Sequence, residues 1–117
     1  MSAKAEKFGR YLRELRGKTP QHILADAIDR TTMYISNVEN GKNLPPDFDQ
    51  LNKIATVLKL SDEKRLELID EAALARNTVA QDIFDKLCQH KELLHIVRQI
   101  TPDTIEQLKM RQIKFDK

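Results

Sequence analysis

The chain has one cysteine, no tryptophan, 3 glycines and 4 prolines among 117 residues, and aromatic side chains make up only 5% of it. A single cysteine, Cys88, excludes an internal disulfide framework and suits a reducing compartment. So little glycine and proline excludes collagenous and low-complexity chains. Apolar runs are only a few residues long, which speaks against a membrane span. The first ten residues carry no hydrophobic stretch behind their lysines, so no signal peptide is expected and the cytoplasm is the expected location. The length leaves room for one core, or for a small domain with a helical appendage, and excludes large catalytic scaffolds.

What is present is a globular balance: 40% hydrophobic and 32% charged residues, with a net charge of +2. The charge is unevenly spread, +3 over residues 1–60 and −1 over residues 61–117. Six bases (Lys4, Lys7, Arg10, Arg13, Arg16, Lys18) stand against Glu6 and Glu14 in the first eighteen residues. That excess permits an acidic partner without demanding one, because charged helix faces are commonly just solvated.

Helical periodicity runs through nearly the whole chain and β-type alternation is almost missing, so the fold is expected to be all-α. Phe8, Tyr11, Leu12 and Leu15 mark a first amphipathic helix over about 5–16, stopped by Gly17 and Thr19-Pro20. A short helix over 21–28 turns Leu24, Ala27 and Ile28 inward. Thr31 caps a third that carries Ile35 and Val38 to Asn40, with Gly41 as its left-handed stop. A fourth, over about 47–58, buries Phe48, Leu51, Ile54, Ala55 and Leu58. Ser61 caps a fifth that runs to about Arg76, with Asp62 and Glu63 in its first turn. Asn77-Thr78 reads as a boundary, dividing 1–76 from a helical extension over 77–117. In the extension, Thr78 and Gln81 have capping-box spacing for a helix to about Gln89. Another helix covers about 91–100, and Thr101-Pro102 opens a last one to about Lys114. Forty residues cannot bury a core alone, so they are expected to dock on the first part or on a second copy.

The informative stretch is Gln21 to Asn40, QHILADAIDRTTMYISNVEN. Two short helices joined by about three residues suit a helix-turn-helix in which small Ala25 permits close approach and Ile28, Ile35 and Val38 lock the crossing. With its apolar residues confined to Ile35 and Val38, the third helix keeps Thr32, Met33, Ser36 and Asn37 on one exposed stripe. Together with FGRYLRELR at Phe8 to Arg16, Leu24-Ala25, Tyr34-Ile35-Ser36, Glu39-Asn40-Gly41-Lys42, the following proline, and Leu51 with Ile54-Ala55, these residues resemble the helix-turn-helix proteins related to phage lambda repressor and Cro, the Xre type. The resemblance covers roughly residues 7–76. It implies a lambda-repressor-like five-helix DNA-binding domain in which Thr32, Met33 and Asn37, with Ser36 beside them, read base edges in the major groove. Asn37 suits a bidentate pair with adenine, Thr32 a hydrogen bond or methyl contact, and Met33 an apolar contact such as a thymine methyl. Gln21, Tyr34, Asn40, Lys42 and Asn43 are implied to meet phosphates, and Arg16 to pair with Glu39. The sequence departs from the family's pattern at Asp29, where Gly is usual, and at Arg30, where an apolar residue is usual and which here is assigned to a phosphate.

Other constellations are weaker. Cys88, His90 and His95 lack a fourth ligand and closed spacing, so no metal is assigned and Cys88 is expected to be buried. Glu67, Asp70 and Glu71 share a helix with Lys64 and Arg65 at ion-pair spacing and have no nucleophile nearby, so neither catalysis nor a cofactor is expected. The reading is a sequence-specific transcriptional regulator, a repressor binding an inverted-repeat operator on double-stranded DNA as a homodimer. The alternative is an antitoxin-like or defence-inhibiting chain that holds a protein partner through residues 78–117 and uses its head for autoregulation.

Overall fold

The structure, a computed structural model, describes residues 2–112, and every regular element among them is an α-helix. In chain order these are α1 (Ala3–Arg16), α2 (Gln21–Ala27), α3 (Thr32–Glu39), α4 (Phe48–Val57), α5 (Asp62–Ala75), α6 (Gln81–Gln89), α7 (Glu92–Gln99) and α8 (Pro102–Gln112). The chain divides into two compact units, one reaching through Gln81 and the other starting at Asp82.

Capping explains most boundaries of the first unit. Ser2 accepts from the Ala5 amide and starts α1 two residues before its periodicity becomes apparent. Thr31 accepts from the Tyr34 amide at 3.1 Å, and Ser61 from that of Lys64 at 3.2 Å. Asp47 and Gln50 form a reciprocal capping box at the head of α4, so Asp47 precedes that helix and does not belong to it. Phe8 and Leu12 of α1, Leu24 and Ala25 of α2, Ile35 and Val38 of α3, Leu51 and Ile54 of α4, and Leu68, Ile69 and Ala72 of α5 make one buried cluster. Phe48 and Leu58 pack on its margin, only partly buried. Helix α1 lies against α3 and α5, while α2 lies against α3 and α4. The α3 helix is therefore clamped from two sides and leaves only its outer flank uncovered.

Two glycines make this clamp possible. Gly9 sits mid-helix in α1, where a Cβ would run into the Glu39 carbonyl oxygen and come within 2.6 Å of the Val38 carbonyl oxygen. Gly41 follows α3 with φ +76°, a left-handed conformation, and a Cβ there would lie 2.9 Å from Glu6 Cα. Backbone-to-backbone contact thus sets the distance between α1 and the end of α3.

Three expectations change at the join and beyond it. After α5 the chain turns through left-handed Asn77 (φ +61°), and the Thr78 amide returns to the Ala73 carbonyl at 3.0 Å. The first unit nevertheless continues to Gln81, because Ala80 is buried in the same cluster. The helix expected to open directly after Thr78 starts later: α6 begins at Gln81, three residues beyond Thr78. Cys88 is exposed, contrary to the expectation of burial, because neither α6 nor α7 buries any residue. At α8 the Thr101 hydroxyl accepts from the Thr104 amide at 3.2 Å, with Pro102 in the first helical position. The expected end of that helix near Lys114 lies outside the described residues.

Candidate nucleic-acid interface

Local chemistry ends α2 and opens α3 within four residues. Asp29 takes a left-handed conformation (φ +56°), which Asp tolerates better than most residues, and the Arg30 amide then closes on the Ala25 carbonyl at 2.9 Å. Thr31 follows in extended conformation and caps α3. Asp29 thus reaches a left-handed backbone geometry that glycine adopts more readily.

Along α3 the buried side chains are Ile35, Val38 and Glu39. At about 100° per residue, Met33, Ser36 and Asn37 fall roughly opposite Ile35 and Val38, and Thr32 lies about a quarter turn to one side. Thr32 is exposed and Met33 is 66% exposed, while Ser36 and Asn37 are half-buried on either side of Met33. The four residues expected to read bases therefore share one outward flank, with a methionine side chain standing at its crest.

The loop after α3 is tied back to that helix. The Asn37 carbonyl accepts from the Lys42 amide at 2.8 Å and from the Asn43 amide at 3.3 Å, so the main chain of a residue expected to read bases also anchors both loop residues. From the far side the Arg76 guanidinium donates to the Pro45 carbonyl and pins the proline end of the loop. Lys42 is exposed and Asn43 half-buried.

A charged knot sets the depth of α3. The Glu39 carboxylate, with a fully buried side chain, accepts from Arg16 Nε at 2.5 Å and from Arg16 Nη2 at 2.9 Å, and from the Gln21 amide at 3.0 Å. Arg13 Nε lies 3.5 Å from the same carboxylate. Burial by itself pushes the Glu39 carboxyl up. The hydrogen bonds from Arg16 and Gln21, with the charges of Arg16 and Arg13, outweigh it and hold the group below its ordinary value. The pairing of Arg16 with Glu39 implied by the family resemblance is thus present. Gln21, assigned to a phosphate, spends one amide hydrogen inside the knot and joins α2 to α1 and α3.

Arg13 is a residue that sequence reasoning missed. Its Nη2 donates to Asn40 Oδ1 at 2.8 Å, which fixes a side chain assigned to phosphate binding. The available signal was its i, i+3 spacing from Arg16 on α1, which brings both guanidinium groups to the same end of α3. Arg30 lies with its guanidinium carbon 3.8 Å from the Tyr34 ring centroid. The Tyr34 phenol is pushed up by burial, with the nearby positive charges of Arg30 and Arg76 opposing that rise and Asp47 adding to it.

The sites assigned to base reading and to phosphates thus group around α3 and its two flanking turns, all within the first unit. Among the described residues no three His, Cys, Asp or Glu side chains gather as a metal site would require. Nor is any helix among them long and apolar enough to cross a membrane. Compared with protein-family models, curated proteins and solved structures, the chain matches none.

Proposed function

We propose that this chain is a DNA-binding transcriptional regulator of the lambda-repressor-like, Xre type, which inserts α3 into the major groove. The observation that carries the reading is the outward flank of α3: uncharged hydrogen-bonding side chains and one methionine on a helix clamped from behind, with Arg30 and Lys42 at its two ends. Neutral donors and acceptors suit base edges, whereas cations at the margins suit phosphates. One such helix reads only a few base pairs, so discrimination calls for two copies about 34 to 36 Å apart on an inverted repeat. The second unit supports pairing. Phe84 is 51% exposed and Val97 57% exposed on strongly amphipathic helices that bury nothing within the chain. Covering such faces with a second copy is the simplest way to make the homodimer, and repression then follows from occupying a promoter.

The same exposed apolar faces favour a second reading, in which α6 and α7 hold a different protein, as an antitoxin-like chain does. Sedimentation of the purified chain with and without duplex separates the two. A self-associated species that takes up one inverted repeat supports the regulator, and a monomer that stays monomeric on DNA removes the homodimer.

Two substitutions test the interface itself. Asn37→Ala is expected to cost about 1 to 3 kcal/mol on the preferred site and to relax preference at one base position. Equal weakening on every sequence, measured by competition among single-base operator variants, excludes base reading by Asn37. Lys42→Ala is expected to weaken all sequences alike and to lower the salt slope of binding by about 0.9 unit. A slope that does not move takes Lys42 off the phosphate backbone.

A further inference from the structure

Arg30 stands where the resembled family carries an apolar residue, and the structure shows what it packs against. Its guanidinium carbon lies 3.8 Å from the centre of the Tyr34 ring. Tyr34 is half-buried and packs against the buried cluster, so the ring is a fixed surface. Arg30 itself is exposed, and its main chain is held by the bond from its amide to the Ala25 carbonyl at 2.9 Å. Three other guanidinium groups near α3 are committed within the protein: Arg13 to Asn40, Arg16 to Glu39 and Arg76 to the Pro45 carbonyl.

Stacking uses a guanidinium differently from an ion pair. All five N–H donors lie in the plane of the group, so a ring beneath it occupies one face and leaves the edge of the fork open. A phosphate accepts from that edge through two parallel bonds. The ring also removes rotamer freedom before binding, which lowers the entropy cost of gripping a ligand. Position fits the same use, since Tyr34 follows Met33 on α3 and flanks the outward stripe on the side away from Glu39.

We propose that Tyr34 is a positioning residue that holds the Arg30 guanidinium flat beside α3, so that the two act as one grip on a single DNA phosphate. This rests on the DNA-binding reading above and assigns to Tyr34 the role of platform, through its ring, where a direct hydroxyl contact to phosphate was expected.

The test is a set of titrations of the full chain with a random-sequence duplex between 50 and 200 mM salt, roughly the range over which counterion release is resolved. Arg30→Ala is expected to weaken binding about fivefold to tenfold and to lower the salt slope by about 0.9 unit. Tyr34→Leu removes no charge, yet it is expected to weaken binding to within about twofold of Arg30→Ala and to lower the slope as well, since an untethered cation grips poorly. The double variant is expected to bind no more weakly than Arg30→Ala alone, the non-additivity of residues that share one partner. Tyr34→Phe keeps the ring and is expected to stay within about twofold of the wild type, and the circular dichroism and melting temperature of Tyr34→Leu are expected to match the wild type, so that its loss is not one of folding. Four outcomes overturn the pair: an unchanged slope in Arg30→Ala, an unchanged slope in Tyr34→Leu, losses that multiply in the double variant, or Tyr34→Phe as weak as Tyr34→Leu. A wild-type chain that binds no duplex at any salt overturns the DNA reading itself, and the pair with it.

Discussion

Alanine at position 39 is expected to lower the melting temperature of the first unit by roughly 15 °C or more. Glu39 is 2% exposed and receives hydrogen bonds from Arg16 on α1 and Gln21 on α2. Removing one partner of a buried ion pair costs about 3 to 5 kcal/mol, because the other charge is left without compensation. In a domain of this size each kcal/mol shifts the midpoint by about 4 to 8 °C. Arg16, with a side chain only 16% exposed, would be the stranded charge. Calorimetry of the full chain decides the matter, and a shift of only a few degrees would show that the knot contributes little. Acid supplies an independent check. The folded-state value of Glu39 lies below its ordinary 4.5, so its contribution is fully present above about pH 4.5 and is lost as pH falls through the folded value. Glu39→Gln is expected to lose less stability than wild type over that acid range, because the titrating group is gone.

The second large effect is expected at Gly9. Alanine in the middle of an exposed helix normally stabilises by up to about 1 kcal/mol relative to glycine. Here the sign reverses, since the added methyl group meets the Glu39 carbonyl oxygen and lies 2.6 Å from that of Val38, and neither backbone atom can swing away as a flexible side chain would. Overpacking a tight site costs about 1 to 3 kcal/mol. The upper end is expected for Gly9→Ala, because relief requires α1 and α3 to separate. Urea unfolding measures it directly, and a variant as stable as the wild type would contradict the close approach of these helices. Under the proposed DNA-binding reading, separation also tilts the outward flank of α3, so affinity for duplex is expected to fall in the same variant although Gly9 faces the end of α3 and not that flank.

Much of the helical architecture was legible because it depends on local signals. Ser61 and Thr31 are short-range hydrogen-bonding caps that appear where residue type places them, whereas the Asp47 to Gln50 box, which starts α4 one residue later than periodicity suggested, was not read from the sequence. The buried positions of α3 and α4 follow from periodicity in the same way. The failures have equally specific causes. Thr78 and Gln81 have capping spacing, yet α6 starts only at Gln81, after Ala80 has packed into the core, and residue spacing carries no information on that packing. Cys88 looked buried because cysteine usually is, yet it is exposed on α6, a helix none of whose residues is buried among the described residues. Gly9 passed as a neutral member of an amphipathic run, since a glycine is informative only once the backbone facing it is known.

By itself the sequence determined an all-helical chain, the order and approximate limits of its helices, and a third helix with an uncharged polar stripe opposite Ile35 and Val38. These are consequences of hydrogen bonds and hydrophobic spacing within a few residues of one another. Only the tertiary structure decided that Arg13 and Gln21 join the expected Arg16–Glu39 pair, that Gly9 admits the end of α3, and that Arg30 lies on Tyr34. Such contacts join residues whose separation along the chain bears no fixed relation to their distance in space. Packing of whole helices had to set them, and packing also converts a polar stripe into a surface held outward.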